Sequence, residues 1–91
     1  MSGQNQAQVI VYGTSWCAFC HAETQWLNQL GIPYTKKNIE TDNTALEELL
    51  KKTGGEQNVP ITDIGGDIIV GFDRPKILVA LKARGIYTSD S

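Results

Sequence analysis

The chain is poor in the residues that build metal centres. Its 91 residues include two cysteines, one histidine and one methionine. A structural zinc site usually needs four Cys or His ligands, and no second Cys pair exists to complete one. Long apolar runs are also missing, and none approaches the roughly 20 residues that cross a bilayer. Basic excess is absent as well. Net charge is −2, and the eight Lys and Arg are scattered apart from the pairs at 36–37 and 51–52. That distribution argues against nucleic acid as the main partner. The opening residues Met1–Gln6 are polar, frayed in expectation, and carry neither a basic n-region nor an apolar h-region. No secretory signal and a cytoplasmic setting are therefore expected. Structural disulfides are rare in that compartment. No repeat, linker or low-complexity segment divides the chain, so residues 1–91 read as one small domain. A hydrophobic fraction of 41% permits a packed core.

The two cysteines stand together in Cys17-Ala18-Phe19-Cys20. A pair so placed reads as redox-active or metal-binding, not as a staple. An apolar β-like run, Val9–Tyr12, precedes it after a short loop, and a helical pattern follows. The first sulfur then falls at or near a helix N-terminus, where free N–H groups and the positive end of the dipole favour a thiolate. The thiolate is the nucleophile of disulfide exchange. Cys20 lies one turn on, near enough to displace a bound substrate. Cys17 is expected to be exposed and Cys20 more shielded.

The remaining pattern alternates. Ala22, Trp26, Leu27 and Leu30 repeat at helical spacing until Gly31 and Pro33 stop the helix. Residues 34–39 read as a weaker strand. Asp42, Asn43 and Thr44 offer caps for a helix carrying Ala45, Leu46, Leu49 and Leu50, ended by Gly54-Gly55. Ile61–Ile64 and Ile68–Val70 flank Gly65-Gly66-Asp67, a hairpin signature. Asp73 caps a last helix with Pro75 in its first turn, Ile77, Leu78 and Leu81 inside, and Gly85 at its close. The expected class is α/β, a four-stranded mixed sheet in the order β-α-β-α-β-β-α. Its first two strands should be parallel and its hairpin antiparallel.

From Gln8 to Ile86 this order, with three motifs, resembles the thioredoxin-fold superfamily and within it the glutaredoxin-like redoxins. The motifs are Thr14–Cys20 after a strand, Val59-Pro60 before the third strand, and Gly71-Phe72-Asp73 ahead of the last helix. The resemblance implies a cis Val59-Pro60 bond that turns the Val59 backbone toward the cleft, where an extended substrate can pair. It implies a peptide or glutathione site at Gly71, Phe72 and Asp73. Gly71 admits a close backbone approach, and the N–H groups of the last helix can hold a carboxylate. It places Trp16 on the partner-contact surface. Phe19, between the cysteines, is expected to be half-exposed and available to a substrate.

The implied activity is a thiol–disulfide oxidoreductase with catalytic Cys17 and Cys20. Protein disulfides or mixed disulfides are the substrates of an expected monomer, with no metal and no tightly bound cofactor. Glutathione or another low-molecular-weight thiol is a possible co-substrate, and either a glutathione system or thioredoxin reductase supplies electrons. Thr14 stands where glutathione-using glutaredoxins often carry Lys, and Asp73-Arg74 departs from their usual Ser/Thr-Asp pair. Weak saturation by glutathione is the corresponding expectation. The segment Gly71–Ile77 looks like that of redoxins serving ribonucleotide reductase, which thioredoxin reductase reduces. Ser15–Cys20 with Ile39-Glu40 and Gly54-Gly55 also looks like mycoredoxins. The alternative from another class is a module that binds or delivers an iron–sulfur cluster, which needs thiolates from outside the chain. Cys17–His21 also spells C-x-x-C-H, a haem-attachment pattern. Neither a secretory signal nor a second axial ligand is expected to accompany it.

Three further residues invite roles. His21 directly follows Cys20 and reads as a solvated side chain. Glu23, one turn beyond Cys20, is a possible proton relay, but an acid favourably placed in the first turns of a helix is the preferred reading. Asp63 interrupts an apolar strand, and the sequence offers no account of it.

Overall fold

In a computed structural model, residues 8–86 are described. The expected fraying of residues 1–6 lies outside them. The elements in chain order are β1 (Val9–Gly13), α1 (Ala18–Leu30), β2 (Thr35–Asn38), α2 (Asn43–Thr53), β3 (Ile61–Ile64), β4 (Asp67–Val70) and α3 (Arg74–Ala83). The sheet order is β2-β1-β3-β4. β1 runs parallel to β2, whereas β1–β3 and β3–β4 are antiparallel. The expected mixed α/β architecture is the one observed.

Alternation along the central strands separates two apolar layers. Val9 and Val11 of β1 and Ile64 of β3 pack with Leu27 of α1 and Ile77 and Leu81 of α3. Tyr12 and Ile61 face the other way and meet Ala45 and Leu49 of α2. The sheet is thus covered by α1 and α3 on one face and by α2 on the other.

Local chemistry sets the ends of each element. Asp42 caps α2 by accepting from the Thr44 and Ala45 N–H groups at 3.0 and 3.2 Å. Gly31 and Gly54 end α1 and α2 with φ of 75° and 72°, a conformation that costs a glycine little. The β3–β4 turn is tighter than the sequence implied. Gly65-Gly66 alone makes it, and Asp67 already belongs to β4.

The inner face of α1 also differs from the apolar stripe. Cys20, Glu23, Thr24 and Leu27 are the buried residues, while Ala22, Trp26 and Leu30 lie half-buried at the margin. Apolar spacing mislocated the stripe because two of its inner positions are polar.

Asp63 receives its account here. It is 8% exposed on the α2 face of β3, where Lys52 Nζ reaches its Oδ2 at 2.6 Å. The same ammonium donates to the Tyr12 hydroxyl at 2.7 Å, and that hydroxyl donates to Glu48 at 3.0 Å. Lys52 therefore satisfies two groups on the sheet that water reaches poorly. Lys52→Met is expected to lower unfolding free energy by about 1–3 kcal/mol, because Asp63 loses its cation. Urea denaturation checks this, and an unchanged midpoint would contradict it.

Candidate functional site: a cysteine pair at the start of α1

The site begins at the carboxyl end of β1. Gly13 closes the strand, Thr14-Ser15-Trp16 turn the chain, and Cys17 caps α1. Cys17 is extended, with φ −83° and ψ 113°, and its sulfur accepts the Cys20 backbone N–H at 3.2 Å. A sulfur thus takes the place an oxygen holds in most N-caps. The free N–H groups of the first turn give negative charge on this sulfur a ready partner.

Cys17 is only 7% exposed, which corrects the expectation of an open nucleophile. The loop before β3 covers it, and the Val59 carbonyl oxygen lies 4.0 Å from its sulfur. The predicted asymmetry still holds, because Cys20 is fully buried. Burial pushes the Cys20 thiol up to about 12, and its contact with Cys17 adds to the rise. The Thr14 backbone N–H works against it. The two cysteines are not joined in a disulfide.

Close packing holds Cys20 in place. A Cβ on Gly13 would sit 2.6 Å from the Cys20 sulfur and 3.1 Å from its Cβ. Any larger residue at Gly13 would press directly on the second cysteine.

The other residues singled out from the sequence surround the pair. Trp16 and Phe19 are 71% and 67% exposed, so Phe19 is more open than the half-exposed side chain expected. The Trp16 indole N–H donates to Glu40 Oε2 at 2.9 Å, which fixes the ring beside Cys17. Val59-Pro60 is cis, as the resemblance implied. The Gly71 N–H donates to the Pro60 carbonyl at 2.7 Å, so the Gly71–Asp73 segment is tied to the proline loop. Gly71 has φ 88°.

Phe72 packs edge-on to Trp26, and the Arg74 guanidinium lies over both rings, 5.2 and 5.8 Å from their centroids. Asp73 caps α3 by accepting the Lys76 N–H at 3.3 Å. His21 is exposed, with Nε2 2.9 Å from the Ser15 carbonyl oxygen, and does not face a sulfur. Among the described residues, no group of three or more His, Cys, Asp or Glu is arranged to hold a metal ion.

Comparison with known proteins supplies the family. Residues 9–69 match the glutaredoxin family model. The chain belongs to the glutaredoxin family. A glutaredoxin of Vernicia fordii is 34% identical over 68 residues, a match covering 72% of this chain and 65% of that relative. An uncharacterised glutaredoxin-like 8.6 kDa protein in a rubredoxin operon of Clostridium pasteurianum is 30% identical over 67 residues. That match covers 74% of this chain and 88% of the relative. A buckwheat glutaredoxin–glutathione complex superposes with a TM-score of 0.69 at 26% identity, over 92% of this chain and 84% of that one. The Escherichia coli NrdH-redoxin shares the fold, with a TM-score of 0.69 at 22% identity over 79% and 92% of the two chains. The family and the Cys17–Cys20 spacing support thiol oxidoreductase chemistry in general.

Glu23 is the residue that sequence reasoning misplaced. It is fully buried, and more than an acid favourably placed in the first turns of a helix. Thr62 on β3 donates its hydroxyl to Glu23 Oε2, while Oε1 has no partner. The signal was its spacing, since Glu23 falls three residues after Cys20 on the face that packs inward.

Two predictions come from these environments. Brief alkylation of the reduced protein near pH 8 should modify Cys17 and spare Cys20, with Cys20 reacting only as pH nears about 12. Peptide mapping reads this directly, and faster labelling of Cys20 would reverse the assignment. Burial also raises the Glu23 carboxyl from 4.5 to about 7. The folded state therefore binds a proton more tightly than the unfolded chain. Its contribution to stability is intact below pH 4.5, is lost as pH rises to about 7, and is level beyond. Glu23→Gln should match the parent near pH 4 and exceed it above pH 7 by on the order of 3 kcal/mol. Denaturation curves at both pH values test this, and an equal offset at the two would refute it.

Proposed function

We propose that this glutaredoxin-family chain reduces protein disulfides or mixed disulfides through a Cys17/Cys20 dithiol. The observation that carries the reading is the placement of the two sulfurs. Cys17 Sγ accepts a backbone N–H at the start of α1, and Cys20 lies one turn deeper and fully buried.

The Cys17 thiolate attacks one sulfur of the substrate disulfide. A Cys17–substrate disulfide forms, and the other substrate sulfur leaves as a thiolate. Cys20 then attacks Cys17 Sγ, breaks the mixed disulfide and releases the second substrate thiolate. Two electrons have passed to the substrate, and the protein holds a Cys17–Cys20 disulfide. An external dithiol, or two molecules of a low-molecular-weight thiol, restores it. No tightly bound cofactor is needed.

In this reading Trp16 and Phe19 give substrates an apolar platform beside Cys17. The Val59 backbone at Pro60 pairs with an extended segment. Gly71, Phe72 and Asp73, at the start of α3, receive the rest of the substrate or a thiol's carboxylate.

The buckwheat relative's glutathione complex supports a glutathione-type thiol as one candidate reductant. Two residues of this chain weigh against tight glutathione binding. Thr14 is buried and uncharged where a Lys is common in glutathione users, and Arg74 lies over Phe72 and Trp26. Offered to the oxidised protein, thioredoxin reductase with NADPH should consume NADPH faster than glutathione with its own reductase. Saturable glutathione turnover without response to thioredoxin reductase would overturn the reductant assignment. No NADPH loss with either system would overturn the reductase reading itself.

A further inference from the structure

Among the described residues, two buried side-chain oxygens lack hydrogen-bond partners, Thr14 Oγ1 and Glu23 Oε1. Both belong to residues beside Cys20. Thr14 offers its backbone N–H to the Cys20 sulfur, and Glu23 follows Cys20 by three residues on the inner face of α1. That spacing sets their Cβ atoms about 5–6 Å apart. A glutamate side chain, or one water beyond it, spans such a gap.

A buried carboxyl oxygen without a donor is costly, and most such groups acquire one. Here the opposite sheet face presents Val11, Thr62 and Ile64, and α3 adds Ile77 and Leu81. Only Thr62 among these is polar, and it serves Oε2 alone. The titratable neighbours of Glu23 on α1 are Cys20 and His21, and His21 turns away to the Ser15 carbonyl. Arg74 of α3 lies over the Trp26 and Phe72 rings. Lys36, exposed on β2 opposite Val11, exerts its charge on Cys20 from the same side of the sheet but makes no hydrogen bond to Glu23. Glu23 thus shares the buried face of α1 with Cys20, and among the described residues no cation pairs with it.

Resting on the dithiol reading above, we propose that Glu23 takes the Cys20 proton when Cys20 resolves the mixed disulfide. Before this step Cys20 is a thiol, Glu23 a carboxylate, and Cys17 is bonded to the substrate sulfur. The Cys20 proton moves to Glu23, and the sulfur keeps the bonding pair. That sulfur attacks Cys17 Sγ, the Cys17–substrate bond breaks, and the substrate leaves as a thiolate. The proton then rests on Glu23, which returns it to a sulfur when the pair is reduced again. Charge is conserved at each stage, with one negative charge moving from Glu23 to the departing thiolate. Burial supplies both the need and the means. Cys20 resists ionisation where it lies, and Glu23 changes protonation near pH 7, within reach of that need.

Stopped-flow reaction with a bis(nitrobenzoate) disulfide, whose thiolate product is coloured, separates the two steps. Attack by Cys17 releases the first equivalent, and resolution by Cys20 releases the second. The first phase uses Cys17 alone and serves as the internal reference. Glu23→Gln should slow the second phase by about 100-fold at neutral pH and abolish its inflection near pH 7. Thr62→Val removes the one donor to the carboxylate, so it should move that inflection to higher pH. A purely structural role for Glu23 would shift neither inflection. A second phase in Glu23→Gln with the parent's rate and pH profile would overturn the proposal and leave the dithiol reading standing. A parent protein that releases a single equivalent would overturn the dithiol reading and this role with it.

Discussion

The hydrogen bond from the Cys20 backbone N–H to the Cys17 sulfur is the contact on which the site depends. It makes Cys17 the cap of α1, so one sulfur meets the positive end of the helix. The same geometry carries Cys20 inward by one turn, where helix and sheet enclose it. Two identical side chains thereby enter opposite environments, one against peptide dipoles and one in a dry interior. The influence of a helix N-terminus falls off within the first turn, so three residues are enough to divide them. Gly13 completes the arrangement, because only the absence of a Cβ leaves room for the Cys20 sulfur against β1.

The layer between α1 and the sheet is partly polar. Cys20, Glu23, Thr24 and Thr62 all lie within it. Thr24 is satisfied locally, since its hydroxyl donates back to the Cys20 and His21 carbonyls at 3.2 and 3.1 Å. Glu23 is satisfied only in half. The other face of the sheet resolves its polarity differently, by bringing Lys52 in over Tyr12 and Asp63. One layer pairs its acid with a cation and is structural. The other leaves its acid without one, beside the cysteines.

Much of this was legible in the chain. The apolar run at Val9–Tyr12, the caps at Asp42 and Asp73, and Gly65-Gly66 each mark an element by local chemistry. The resemblance at Val59-Pro60 and Gly71-Phe72-Asp73 implied which loops meet the cysteines, and the Gly71–Pro60 hydrogen bond joins them. Illegible were the features set by residues distant in sequence. Glu23 looks like any helical acid until Thr62, 39 residues away, is seen to cover it. Asp63 looks like a fault in a strand until Lys52 is placed opposite. Cys17 was expected to be open because it starts the helix, yet the Val59 loop, 42 residues on, closes over it.

The central claim is that Cys17 attacks and Cys20 resolves. Intact-mass analysis of the two single variants after exposure to a disulfide peptide tests it most directly. Cys20→Ser should accumulate one covalent peptide adduct on Cys17, because nothing within the chain can resolve it. Cys17→Ser should remain unmodified over the same interval. An adduct on Cys20 in Cys17→Ser, with none on Cys17 in Cys20→Ser, would contradict the account.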